Sequence, residues 1–366
     1  MVVRPDVPAA RSAMDFEFTD DQQELRAAVR AVLARECPMS FVRDVVEKGA
    51  PAGPLWAQMV ALDWPGLTVP EDCGGLGLGY VELAVLVEEL GRVVAPGPLT
   101  ATVTQFVPAV REAASQGQRR RFLAEVAAGR LTGALCVAEA GGRWAPEDVA
   151  TVARPRGGSW SLTGTKRWVL DGGTADELVV TARLEGTVGS DGIGLFVVPQ
   201  ASVRSEAVAT LDATRPYATV SLDGAEVGAD RVLGPPGSEE VVRALRRALE
   251  EATAAMAIET LGTCQSVFDV ALGYAKVREQ FGVPVGSFQA MKHKFADMYV
   301  SLERARALCY FAALAIAEDD DRRALAVAMA KAAAGDCQRL LAQEGIQALG
   351  GIGFTWEHDM HLYVKR

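Results

Sequence analysis

A glutamate, two of the three histidines and a glycine cluster gather in one stretch, "QALGGIGFTWEHDMHLYVKR". Gly350, Gly351 and Gly353 would let a backbone approach a ligand closely, since a residue without a Cβ accepts positive φ. The same cluster also suits a helix cap or a tight loop. Glu357 offers a carboxylate, and His358 and His361 offer two imidazoles three residues apart on a helical turn. With no cysteine or third ligand nearby they do not compose a zinc site. The six cysteines (Cys37, Cys73, Cys136, Cys264, Cys309 and Cys337) are widely scattered without a C-x-x-C pair, which predicts reduced, mostly buried thiols and no metal centre. A second group of acids, Glu250, Glu251 and Glu259, lies in "ALEEATAAMAIETLG". One residue along a helix turns the side chain by about 100°, so Glu250, Glu251 and Ala252 face three different ways.

Three segments must position these groups. From Thr19 the sequence "TDDQQELRAAVRAVLAREC" starts with a capping-box pair, Thr19 and Gln22, and continues with Leu25, Val29 and Val32 at helical spacing. The Pro/Gly-rich loop "WPGLTVPEDCGGLGLGY" and the helical "VELAVLVEELGRVV" complete an all-α segment, residues 15–134. Residues 135–233 change to β signals: "SWSLTGTKRWVL", "DELVVTARL", "GIGLFVVP" and "ATVSLDGAEV" are short, rich in Val, Leu, Trp and Thr, and divided by glycine turns, as in a compact barrel or sandwich. Residues 238–366 return to helix. Phe288, Met291, Phe295, Met298, Leu302, Ala305 and Cys309 step by three and four, which predicts the seam of a bundle.

Composition excludes several classes. At 366 residues and 49% hydrophobic content the chain can bury a large core. A formal net charge of -10 argues against a nucleic-acid partner, and Arg119, Arg120 and Arg121 read as a solvated helix face. No apolar run nears the roughly 20 residues needed to span a bilayer, and "MVVRPDVPAARSAMD" lacks the apolar centre of a signal peptide, so a cytoplasmic location is expected.

The motifs "YAKVREQFGVPVGSFQAMKHKFADM" and "QALGGIGF" resemble the C-terminal bundle of the acyl-CoA dehydrogenase family. "LTVPEDCGGLGLG" with "VEELGRVVAPGP" resembles its N-terminal helical domain, and "LTGTKRWVLDGGTADELVV" its middle β-domain. The resemblance implies a mainly α fold of N-terminal helices, middle β-barrel and C-terminal four-helix bundle. It also implies FAD, which takes a hydride from the acyl β-carbon while a glutamate removes the α-proton. In relatives the flavin ring lies on the middle domain of one subunit and the adenosine diphosphate on the bundle of the next. The bundle half is present here: Arg278 matches the pyrophosphate arginine, Phe281 and Gln289 its neighbours, and Gln347, Gly350 and Gly351 the glutamine and glycines that approach the same cofactor.

The ring half departs from the family's pattern. Where relatives carry a T-E-P-G-A-G-S-D-like loop, this chain has "VAEAGGRWAPEDV", with Ala138 for the threonine and Arg143 and Trp144 among small residues; Leu170 stands where the motif after Trp168 offers a hydroxyl. No residue matches the family's base. One family position falls on Ala252, the other lies beyond Arg366, Glu357 comes too early, and Glu259 matches a glutamate of relatives whose base is elsewhere. The ending "GFTWEHDMHLYVKR" resembles that of subunits of paired actinobacterial dehydrogenases acting on CoA thioesters of steroid side chains; with the ring half and base departing, that resemblance implies a non-catalytic subunit with a homologous partner in an α2β2 assembly and an acyl-CoA, possibly steroid-derived, as substrate. The other reading is a catalytic homotetramer whose base is Glu251, one residue out of register, or a residue beyond Arg366.

Overall fold

The computed structural model describes residues 17–366. Helix α1 (Asp20–Glu36) starts with the expected capping box: the Gln22 N–H donates to the Thr19 hydroxyl, and the Thr19 N–H donates to the Gln22 side chain. Helices α2 (Met39–Lys48), α3 (Gly53–Ala61) and α4 (Tyr80–Arg92) follow. α4 is buried almost throughout because it packs on α1 from one side and on the bundle from the other. A second helical run, α5 (Leu99–Ala101), passes through a π-helical turn, Thr102–Phe106, into α6 (Val107–Ala113). A Ser115/Gln118 capping box then opens α7 (Gln116–Ala127).

The middle segment forms one eight-stranded sheet of β1 (Gly133–Cys136), β2 (Val152–Arg156), β3 (Ser159–Leu170), β4 (Glu177–Leu184), β5 (Ile193–Pro199), β6 (Arg204–Val208), β7 (Tyr217–Gly228) and β8 (Val232–Leu233). The order is β6-β7-β3-β2-β4-β5-β8, with β1 alongside β4. Its ends are not hydrogen-bonded to each other, but β5 touches β7, so the sheet curls without closing its ladder. The pairing of β3 with β7 slips between Lys166 and Val169. There Trp168 takes φ 56, a left-handed conformation uncommon outside glycine, and Asp171 repeats it.

The long helix α8 (Glu239–Val277) joins the segments. Ser238 caps it, accepting from the Val241 N–H, and Glu239 and Glu240 favour the positive end of the helix dipole. Its first half (Val241, Leu245, Ala248) shares a core with α6, α7 and the sheet, while its second half (Ile258, Leu261, Cys264) belongs to the larger core with α4, α9 (Gln289–Ala317) and α10 (Arg323–Leu349). The expected fourth helix of the bundle is the six-residue α11 (Met360–Lys365). The seam holds from Phe295 to Cys309; Met291 is only partly buried and Phe288 is exposed, because the chain there is leaving the loop that enters α9. All six cysteines are free and buried. No helix among the described residues is long and apolar enough to cross a membrane.

Candidate functional site

Where the sheet meets α8 there is a cavity of about 600 Å³. The sheet contributes Leu135, Trp168, Leu170 and Tyr217, and the segments beside it add Val137, Trp144 and Thr210. α8 contributes Leu249, Ala252, Thr253 and Met256, one face at helical spacing, and Lys331 of α10 and Gln105 complete the lining. Gln105 sits in the π-helical turn, a single-turn irregularity of a kind frequent at functional sites. No carboxylate among the described residues lines this cavity. A second cleft of about 530 Å³ lies further toward the start of α8, with Arg243, Arg246, Arg247 and Arg323 beside Glu239, Glu250 and Asp191.

The candidate bases all point elsewhere. Glu251 is 3% exposed and turned from the cavity; its carboxylate takes a hydrogen bond from Arg111, and its carbonyl accepts the Tyr80 hydroxyl. Burial holds the Glu251 carboxyl above its ordinary range despite Arg111. Glu259, one α8 turn past Met256, is buried in an ionic cluster: Arg366 donates to it at 2.6 Å and Arg215 pairs with it. Glu357 is exposed, with its carboxyl lowered by backbone and Thr355 hydrogen bonds. His358 lies outside a helix, its Nδ1 accepting the Met360 N–H, and His361 stacks on Trp356 at 4.2 Å. The two imidazoles therefore do not share a helical turn, and no metal-binding group forms among the described residues.

The bundle-side residues are placed differently, on open surface. Arg278 ends α8 and is exposed; none of the described residues pairs with its guanidinium. Next comes a two-residue hairpin, β9 (Glu279–Gln280) with β10 (Val283–Pro284), whose tip is Phe281 and Gly282 at φ 55 and 77. A type I′ tip suits Asn-Gly; an aromatic at its first position is strained by about 1 kcal/mol, and this one is 93% exposed. Gln289 is exposed at the start of α9, and Gln347 at the end of α10. Gly350 turns the chain at φ 66, and a Cβ on Gly350 or Gly351 would meet nothing within 4 Å. Strain and unpaired donors in the open are what a ligand would relieve.

Residues 19–130, 134–229 and 242–366 match the acyl-CoA dehydrogenase N-terminal, middle and C-terminal domains. The chain is 31% identical over 361 residues to the 3-sulfinopropanoyl-CoA desulfinase of Paraburkholderia xenovorans, covering 96% of this chain and 91% of that one. The chain belongs to the acyl-CoA dehydrogenase family. It is also 32% identical to acyl-CoA dehydrogenase FadE34 of Mycobacterium tuberculosis, covering 95% of this chain but only 45% of FadE34. Among solved structures, the ChsE4-ChsE5 complex of Mycobacterium tuberculosis superposes with a TM-score of 0.84 at 25% identity, over 96% of this chain and 92% of that one.

FAD is the cofactor of this acyl-CoA dehydrogenase family, and the two halves of its site differ in fit here. The exposed donors at Arg278, Gln289 and Gln347, with the bare backbone at Gly350, suit a pyrophosphate and its adenosine. On the ring side the positions where relatives offer hydroxyls to a flavin's polar edge are altered or already engaged. Ala138 and Leu170 are buried and apolar, the Thr210 hydroxyl donates to the Asp212 carbonyl and that of Thr253 to the Leu249 carbonyl. Glu139 of the ring loop is also committed, accepting from Lys166 at 2.6 Å and from Ala150 and Thr151. Sequence reasoning missed Gln105, Leu249, Met256 and Lys331. The α8 pair could have been found from their spacing to Ala252; Gln105 could not, because an α-helical register does not contain the π turn.

Proposed function

We propose that this chain is the non-catalytic subunit of a heteromeric FAD-dependent acyl-CoA dehydrogenase, supplying the adenosine-diphosphate half of a flavin site to a homologous partner. The observation that carries this reading is the α8 wall: Leu249, Ala252, Thr253 and Met256 face the cavity while Glu251 and Glu259 are committed to arginines elsewhere. α,β-Dehydrogenation needs a base at the α-carbon, and no described residue offers one there. The partner would bring the ring loop, the reacting acyl pocket and the glutamate. The likeness to the ChsE4-ChsE5 complex supports a pair, and FadE34, over twice the matched length, has room for two such units in one chain.

The acyl-CoA class is supported by the way the two cavities follow one another. Arg243, Arg246, Glu250 and Thr253 share a face of α8, with the arginine cleft toward the start of the helix and the apolar cavity further along it, an order that phosphates and an acyl group would suit. Co-expression with a homologous chain that carries an intact ring loop and base tests the reading. The expected product is a four-chain assembly by light scattering, with one flavin per two chains. It should reduce an electron acceptor when given a long-chain or steroid-derived acyl-CoA. Acceptor reduction by this chain alone, fully loaded with FAD, would instead favour a homotetramer with its own base.

A further inference from the structure

We propose that a buried ionic cluster, where a corner of the sheet meets the helices, is a proton-operated clasp: it locks that corner while Asp171 is protonated and loosens it when Asp171 ionises. The clasp is a property of this chain alone and stands apart from the subunit reading. It draws on all three segments of the fold. Arg366, after α11, donates to Glu259 of α8 at 2.6 Å, to the Ala95 carbonyl beyond α4 at 3.0 Å, and to the Thr214 hydroxyl in the loop before β7. Arg215 of that loop also pairs with Glu259, and Asp212 lies 3.6 Å from Arg366. Asp171, 2% exposed, follows β3, and its N–H donates to the Pro216 carbonyl of the same loop.

Charge balance gives the cluster two states. The Arg215 and Arg366 guanidiniums match the Glu259 and Asp212 carboxylates, so a third carboxylate at Asp171 leaves one buried negative charge in excess. Asp171 Oδ2 is buried without a hydrogen-bond partner among the described residues, which a neutral carboxyl tolerates and an ionised one does not. Arg215 and Arg366 face it, and Tyr217, Asp212 and Glu259 face those arginines in turn. Burial outweighs the arginines and raises the carboxyl to about 7, so its proton leaves the folded chain as pH rises through neutrality. Once ionised, Asp171 draws on donors that the closed cluster leaves unused. Arg215 Nε and Arg366 Nε are both buried and unpartnered among the described residues, and a guanidinium that turns toward Asp171 loosens its hold on Glu259. The movement reaches the cavity wall because the backbone is shared. Trp168 and Leu170 precede Asp171, Thr210 and Tyr217 bracket the loop of Arg215, and all four line the cavity. Trp168 and Asp171 both hold φ 56, a strain that a released corner would shed.

Amide hydrogen exchange of the full chain, normalised to intrinsic rates at each pH, reads the clasp. Peptides covering residues 168–175 and 210–217 should open about tenfold more at about pH 8 than at about pH 6, as the release of one proton requires, while α10 peptides stay level. Asp171→Asn keeps the shape and removes the charge, so it should hold both segments at the protected level throughout. In the unmodified chain, the infrared band of a buried protonated carboxyl should disappear with the same midpoint as the exchange, a comparison that does not depend on the variant's folding. Exchange that stays flat over this range, that changes equally in Asp171→Asn, or whose midpoint departs from that of the carboxyl overturns the proposal. None of these results touches the base or the flavin halves, so the subunit reading is judged separately.

Discussion

Burial raises the Asp171 carboxyl to about 7, against the pull of Arg215 and Arg366. Its folded pKa then lies above the unfolded one, so the folded state holds a proton that the unfolded state releases. The stabilising contribution is fully present below about pH 4 and is lost as pH rises through 7. Asp171→Asn removes the titration at constant shape. Thermal melts should show a higher Tm at pH 8, by on the order of 2–4 kcal/mol of stability, and a flatter Tm profile between pH 4 and 8. A profile unchanged by the substitution would contradict the burial argument. Glu251→Gln belongs to the same scale. In the assembled complex it should leave turnover within a few-fold while lowering stability by about 1–3 kcal/mol, because buried Arg111 keeps its charge and is left with Glu112 as its one carboxylate partner; Glu357→Gln should change neither. Loss of a true base would cost at least about 10²–10⁴-fold in rate. The direction in which Glu251 points was legible, since helical rotation alone separates it from Ala252. Its partners were not: Arg111 and Tyr80 stand 140 and 171 residues earlier, and no local pattern links positions so distant.

Helices α4 and α8 cross where two glycines meet the opposite backbone. A Cβ on Gly262 would overlap the Glu88 carbonyl, and one on Gly91 the Glu259 carbonyl. Backbone on both sides of the contact cannot yield as a flexible side chain can. Gly262→Ala should therefore destabilise the chain by about 2–4 kcal/mol in urea unfolding, beyond the usual overpacking range of a core methyl. The hairpin tip gives the opposite sign. Phe281→Asn suits the left-handed conformation, so it should raise stability by about 0.5–1 kcal/mol while lowering the flavin content of the complex. A variant that gains stability and keeps its flavin would show that the exposed ring binds nothing. Elements with strong periodicity were legible: β3 covers the quoted "SWSLTGTKRWVL", and the α9 seam is buried from Phe295 onward. β1, β2, β6 and β8 were not, being two to five residues long and defined by pairing with distant strands. The curl of the sheet was equally invisible, because it depends on which strands become neighbours.

For the whole molecule, the proposed division of the flavin site rests on two separate places, the open hairpin after Arg278 at the end of α8 and the cavity lined by the sheet and the middle of α8. The chain purified alone should carry little FAD, and the complex about one flavin per two chains. Arg278→Ala should weaken retention by about 1.5–3 kcal/mol, roughly ten- to a hundredfold, as read by flavin absorbance after dialysis. Full occupancy of the isolated chain would contradict the divided site. The six thiols are distributed through the same molecule: Cys37 and Cys73 in the first helical segment, Cys136 in β1, and Cys264, Cys309 and Cys337 on the three long bundle helices. All are buried, and burial pushes Cys37, Cys136 and Cys309 up to about 12, while the contact with Cys264 lowers Cys337, so inertness of the native chain to alkylation at neutral pH rests on burial for all six and on thiol pKa for these three. Each modification event then marks a transient opening at one known place. Timed labelling with iodoacetamide, followed by peptide mass analysis, would give six local clocks without any engineered probe. Their order would show whether the helical segment, the sheet and the bundle breathe separately or as one.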